Sequence, residues 1–295
     1  MPGVKLSRED TGRLVVTVSQ SWIGTFFDCA ESARRELLDP EMDGTNEQHQ
    51  IGTTLHTYAA QRLRGWDADR AKVWAQSELL VEFPRIKHVR IKTFETAWRY
   101  AEEAIAAWEA EMFPSLDPSY IETTLQAALW GDDDILIMLE GTPDLIDADG
   151  DIHDWKTTTK PWDYREKQKW AIQPTAYYAL AQGNQLSPSG TFRYWVWNKQ
   201  EKQSQRITVT RTDADVIRLG RQARQIAHQI VNYIDAPRWA MNDQSWLCSE
   251  KWCPWHPTCP VSGFTDRQPK APVTLDALVK SPSSTRETTD EEGTS

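Results

Sequence analysis

Three residues of this 295-residue chain have types and a spacing suited to phosphodiester chemistry: Asp144, Asp154 and Lys156. In Asp154-Trp155-Lys156 the carboxylate and the ammonium are two apart, so on a β-strand both project from the same face. Asp144 closes Gly141-Thr142-Pro143-Asp144, and the Asp149-Gly150 turn that follows reverses the chain, placing a second carboxylate across a hairpin from the first. Two hard oxygen ligands suit a magnesium or manganese ion, and a neighbouring lysine can orient a water or offset developing negative charge. That combination fits hydrolysis of a phosphodiester.

Other residues become candidates only beside this pair. His56 lies about one turn inside the helical stretch that begins at Gly52; alone it reads as an ordinary helix-surface histidine. Gln173 and Tyr177, four apart on a helix, share a face from which two neutral hydrogen-bonding groups could hold a phosphate or a base. Glu122 alternates with apolar neighbours and could face the site, but an exposed strand residue is the plainer reading.

The elements that must position these groups follow from periodicity and caps. Residues 1–18 read as an extended lead-in with Leu14–Val18 strand-like, and Ser19 or Ser21 caps a helix running through Cys29 to about Leu38. A polar, mobile connection is expected over 39–50, then a helix to about Gly65, and a long amphipathic helix within Ile91–Met112. Tyr120–Trp130 and Ile135–Glu140 read as paired strands around the acidic tip Gly131-Asp132-Asp133-Asp134. After the Asp154 strand come a helix from about Tyr164 to Ala181, a hairpin of Thr191–Trp197 with Gln205–Thr210, and a helix from Thr212 or Asp213 to about Ile234. The order implies a single α/β domain over 1–265, and the tail over 266–295, without apolar residues from Ser281 onward, reads as disordered.

Composition sets limits. At 39% hydrophobic and 26% charged the chain can bury one sizeable core. No apolar run is long enough to cross a bilayer and the first residues form no hydrophobic leader, so a soluble cytoplasmic protein is expected, with no membrane partner. A net charge of −10 argues against nucleic-acid binding through an overall basic field, although local cationic stretches remain at 85–92, 160–169 and 218–224. Most of the 15 tryptophans belong in a core, but those crowding the last third could stack unpaired bases.

Four cysteines complete the inventory. Cys248, Cys253 and Cys259 fall within twelve positions, and Cys29 is more than two hundred residues away. Disulfides are disfavoured in the cytoplasm, so clustered thiols point to metal, either structural zinc or a 4Fe–4S cluster. His256 within the trio keeps zinc open, whereas the absence of a close Cys-x-x-Cys pair leans toward iron–sulfur.

Taken in order, a cysteine on the first helix, a helical histidine, Gly-x-x-Asp, Asp-x-Lys, Gln-x-x-x-Tyr and a C-terminal cysteine trio resemble the PD-(D/E)XK nuclease superfamily over about Ser19–Pro260. Within it the pattern is similar to the iron–sulfur RecB-like nucleases: the CRISPR-associated exonucleases of the fourth Cas family, their phage counterparts and the AddB nuclease domain. The resemblance implies a restriction-endonuclease-like core, a mixed central sheet flanked by helices, with a lobe from 19–65 and 240–260 closed by the cluster. It implies Mg²⁺ or Mn²⁺ ligation by His56, Asp144 and Asp154, Lys156 as catalytic lysine, Gln173 and Tyr177 on DNA, and a 4Fe–4S cluster on Cys29, Cys248, Cys253 and Cys259. It also implies an exonuclease acting 5′→3′ on single-stranded DNA or free ends, in replication, recombination or CRISPR adaptation, where a recombination or integrase protein would be the partner. A non-catalytic DNA-binding or scaffold module of the same fold is the alternative. Three departures are visible: Ala30 stands where the family often has proline, four residues separate Cys248 from Cys253 where two are common, and Trp155 replaces the tyrosine usual inside Asp-x-Lys-Thr.

Overall fold

The computed structural model describes residues 3–38, 47–86, 88, 90–259, 274, 275 and 279. The nine strands among the described residues form two mixed sheets rather than one central sheet. In the first, β1 (Val4–Arg8) pairs antiparallel with β2 (Leu14–Ser19), β2 parallel with β5 (Ile135–Gly141), and β5 antiparallel with β4 (Leu125–Gly131). In the second the order is β3 (Pro118–Ile121), β6 (Leu145–Asp147), β7 (Ile152–Thr158), β8 (Thr191–Asn198) and β9 (Gln203–Thr210). Apart from the long connection from β2 to β3, the chain crosses between the sheets in two short links, 122–124 and 142–144, and each link carries a carboxylate.

This division corrects the reading of Tyr120–Trp130 as one strand. The run breaks at Glu122, whose φ of 45° lies in the left-handed region, and β3 and β4 go to different sheets. The acidic tip 131–134 is an exposed hairpin end as expected, with Asp132 Oδ1 accepting from the N–H groups of Asp134 and Ile135.

Two helices also divide. The helix expected over 19–38 is α1 (Gln20–Asp28), capped by Ser19 accepting from Trp22 N at 3.1 Å, and α2 (Ala30–Leu38). Cys29 is therefore not on a helix; it is the extended joint, with φ −159° and ψ 101°. The helix expected over 164–181 is α6 (Tyr164–Trp170) and α7 (Ile172–Gly183), separated by the extended Ala171. Between them lie α3 (Glu47–Leu63), α4 (Ala68–Glu82) and α5 (Phe94–Glu111). Residues 47–50 of the expected polar connection are helical, and 39–46 lie outside the described residues. The last helix, α8 (Asp213–Tyr233), starts with a capping box between Thr212 and Asp215.

One core lies between the sheets and α1, α7 and α8, with Trp22, Ile137, Leu139, Ile152, Phe192 and Ile226 among its members. A second sets α3 and α5 against the opposite face of the second sheet, around Trp108, Trp155 and Trp195. Strand alternation divides β7 between them: Trp155 packs 5.5 Å from Trp108, and Asp154 and Lys156 face the other way. Seven of the 15 tryptophans are buried and four more, Trp66, Trp98, Trp130 and Trp162, pack partly buried against the cores; Trp246, Trp170, Trp252 and Trp74 are exposed.

Residues 237–258 are tied back to α2. The buried Glu31 and Arg34 pair at 2.8 Å, and their remaining groups take Trp239 N–H and Pro237 O, so neither charge is left unsatisfied. Arg35 donates to Thr258 Oγ1 at 2.8 Å. Leu275 and Val279 rest against the first core, and the rest of the expected disordered tail lies outside the described residues. No helix among the described residues is long and apolar enough to cross a membrane.

Candidate active site

β7 is an inner strand, paired antiparallel with β6 and parallel with β8, so both neighbours fix the direction of its side chains. Asp154 is 1% exposed and sits opposite Tyr194 in the β8 register. Its Oδ1 accepts from Lys156 Nζ at 2.6 Å and from Gln173 Nε2 at 2.7 Å. Oδ2 is also 2.6 Å from the ammonium as an ion pair, and that oxygen is buried without a hydrogen bond.

Asp144, in the crossing before β6, is held through both oxygens. Oδ2 accepts from Trp155 N at 2.7 Å, and Oδ1 lies 2.9 Å from His56 Nδ1 on α3. Glu122, in the other crossing, is placed by its own N–H, which donates to Asp144 O at 3.1 Å. The donor atoms of His56, Glu122 and Asp144 all fall within 4.8 Å of one another. Asp154 lies outside that trio yet close enough to feel the charges of Asp144 and His56.

Of the residues expected from sequence, His56, Asp144, Asp154, Lys156 and Gln173 thus share one site. Tyr177 adjoins it in a supporting role: its hydroxyl donates to Thr142 O at 3.1 Å and bonds with Gln173. Gly141 makes room for that ring, because a Cβ there would stand 2.8 Å from Tyr177 Cε1 and 2.9 Å from Leu180 Cδ1. Glu122 is the functional candidate that periodicity misjudged. The signal was present in Glu122-Thr123-Thr124, a polar run able to end one strand before the apolar pattern of β4 resumes.

The electrostatics show crowded acids. Burial, joined by the charge of Asp144, pushes the Glu122 carboxyl up to about 7. Burial likewise lifts Asp154 to about 6 against the pull of Lys156. Burial also opposes the charge on Asp144, but His56, Lys156 and the Trp155 N–H together hold its carboxyl below the usual range. For His56 and Lys156 burial favours the neutral form, and the carboxylates outweigh it: Asp144 raises His56, and Asp154 followed by Asp144 raises Lys156. A site with three carboxyls, one imidazole and a buried carboxylate oxygen lacking a hydrogen bond has the donor chemistry of a divalent-cation centre.

The four thiols are arranged differently. None is in a disulfide, and all four are half-buried. They share a neighbourhood: burial raises the Cys248 thiol with help from Cys259 and Cys29, and burial raises Cys253 with smaller contributions from Cys29, Cys259 and Cys248. They do not form a compact cluster, since among the described residues no three thiols lie within 4.8 Å of one another.

Comparison with known proteins agrees with the fold. Residues 17–260 match the family described as the PD-(D/E)XK nuclease superfamily, and the chain belongs to it. Among solved structures, a protein from Eubacterium rectale named provisionally as an exonuclease is similar at a TM-score of 0.52 and 14% identity, over 89% of this chain and 92% of that one. LHK-Exo in complex with dAMP scores 0.32 at 10% identity, covering 63% of this chain and 93% of its own. SSO0001 scores 0.32 at 10% identity, covering 77% and 93%. Only the first reaches a level at which the fold is shared. No curated protein matches the chain.

Proposed function

We propose that the protein is a divalent-metal-dependent DNA exonuclease whose site is His56, Glu122, Asp144, Asp154 and Lys156, with Gln173 and Tyr177 as supports. The observation that carries the reading is the convergence of an imidazole and two carboxylates within 4.8 Å beside an Asp–Lys pair at 2.6 Å. Mg²⁺ or Mn²⁺ held by these donors would polarise a scissile phosphate and acidify a water. Asp144 keeps the His56 ring in place, and its own orientation is fixed by Trp155 N–H. Lys156 presents a cation at the mouth of the carboxylate pair, where it positions the attacking water or offsets the charge that develops on the phosphate. Gln173 keeps Asp154 aimed, and Tyr177 steadies the backbone beside Asp144.

Attack from a free single-stranded end, 5′→3′, follows from likeness to the RecB-like exonucleases. A place in phage or bacterial replication and recombination, or in CRISPR adaptation beside an integrase, follows on the same ground. DNA labelled at either end, with closed circular single strands as control, tests it. Early release of label from the 5′ end and survival of the circle are expected; internal cuts in the circle would exclude an exonuclease.

The cysteines are proposed to hold a 4Fe–4S cluster that joins the α1–α2 joint to residues 248–259. Support comes from four non-disulfide thiols in one electrostatic neighbourhood, brought there from the two ends of the described chain. Anaerobically purified protein should be brown, and Cys253→Ser should lose the colour; colourless protein with bound zinc would replace iron–sulfur by zinc.

A further inference from the structure

The segment 160–170 joins the catalytic strand β7 to the Gln173 helix, and its side chains have no part in the chemistry above. It contains Lys160, Arg165, Lys167 and Lys169 in a chain whose net charge is −10. None of the four forms an ion pair with a described carboxylate, although Asp163 and Glu166 lie in the same segment. Interleaved with them are three aromatics: Trp162, half-buried, Tyr164, 53% exposed, and Trp170, 68% exposed. Lys167 Nζ lies 4.0 Å over the Trp162 ring and Lys169 Nζ 4.5 Å over Trp170.

The backbone beneath these exposed groups is clamped. The Gln205 amide brackets Trp162, accepting from its N–H at 2.9 Å and donating to its carbonyl at 2.7 Å. The Gln168 amide brackets Thr210 in the same way. The buried Arg211 donates to the carbonyls of Gln168, Lys167 and Ala171, which end α6. A short helix so firmly held, with its large rings left in solvent, is a prepared surface rather than a frayed connection.

Both ends of the segment abut residues linked to Asp154. Trp162 packs edge-on 5.3 Å from Tyr194, whose hydroxyl donates to Gln173 Oε1. Trp170 is three residues from Gln173, at most about 11 Å along the chain. Beside Trp170 a cleft of about 310 Å³ opens against α8, bordered by Lys169, Ile172, Gln222 and the paired Asp215 and Arg218. The seven residues of α6 span about 10 Å.

We propose that this segment is a binding track for single-stranded DNA, with Tyr164 and Trp170 stacking on bases and Lys167 and Lys169 contacting phosphates as the strand approaches Asp154. It rests on the nuclease reading of the adjoining site. Unpaired cations beside exposed rings match a strand whose bases are unstacked, because every base presents a π-face and every phosphate a charge. A duplex keeps its bases inside, so the rings would gain nothing from one.

Binding of a short 5′-fluorescein-labelled oligothymidine, read by anisotropy in EDTA, tests the track without cleavage. Trp170→Ala should weaken binding about tenfold, and adding Tyr164→Ala should weaken it again. Lys167→Gln with Lys169→Gln should lower the slope of log affinity against log salt by about 1.4. Trp74→Ala, which removes an exposed ring on α4 that packs against Trp66, should bind as the wild type does. The aromatic variants fold readily on this account of their exposure, which unchanged thermal melts would check. Wild-type affinity in both Trp170→Ala and Tyr164→Ala would overturn the proposal, as would equal weakening on a blunt duplex. Cleavage of the same oligonucleotide with Mn²⁺ separates the two readings: track-dependent binding without any cleavage would sink the nuclease and leave the track, whereas cleavage with unimpaired aromatic variants would sink the track alone.

Discussion

His56, Asp154 and Lys156 leave a long helix and an inner strand, and Asp144 and Glu122 leave the two short crossings between sheets; Cys29 leaves a helix joint and the other cysteines a run of turns. The difference shows in how the side chains are held. Both oxygens of Asp144 are bonded, and Asp154 is gripped by Lys156 and Gln173. The thiols are half-buried and not gathered, and their segment is tied to α2 mainly through Glu31, Arg34 and Arg35. The carboxylate site is organised by the fold, whereas the fold alone does not gather the thiols.

The sharpest way to break this contrast is Asp144→Ala. It removes the partner of His56 and leaves the Trp155 N–H buried without an acceptor. Cleavage should fall on the order of 10³-fold, and stability by about 1–3 kcal/mol in a denaturant titration. Glu122→Gln should come next, weakening divalent-ion affinity by roughly 10–100-fold with little change in fold, measured by calorimetry. An unchanged affinity would remove Glu122 from the site.

A third prediction concerns pH. Both Glu122, near 7, and Asp154, near 6, are raised, so in ion-free protein their contribution to stability is present at low pH and lost as pH rises through about 6–7. Divalent ions demand the ionised forms and should reverse that trend, with affinity falling about tenfold per unit for each proton displaced below this window. Thermal shifts with and without Mn²⁺ across about pH 5–8 read both effects. Smallest is Arg35→Gln, which should loosen residues 248–259 by about 1 kcal/mol in hydrogen exchange while β7 protection stays put. Equal loosening of β7 would mean the two regions are one cooperative unit.

Much of the site was legible because it is written in short spacings. Asp154 and Lys156 follow strand alternation, Gln173 and Tyr177 one helical turn, and Ser19 and Thr212 cap where their types suggest. What escaped was decided at a distance. Glu122 joins the site because the chain leaves one sheet for another there with a positive φ, and apolar alternation carries no trace of which sheet a strand enters. Cys29 takes an extended backbone between two helices whose buried positions, Trp22 and Ile23 before it and Ala33, Arg34 and Leu37 after it, keep helical spacing across the joint, so the pattern hides the break. The split of nine strands into two sheets likewise depends on pairing partners far apart in sequence.

The most direct measurement is the decay of end-labelled single-stranded DNA with Mn²⁺ or Mg²⁺, for wild-type protein and Lys156→Ala side by side. The wild type should degrade the strand only with the ion present, and the variant, equally folded by circular dichroism, should be slower by about 10²–10³-fold. Equal rates for the two, or full activity in excess chelator, would contradict a metal-dependent nuclease centre at Asp144, Asp154 and Lys156.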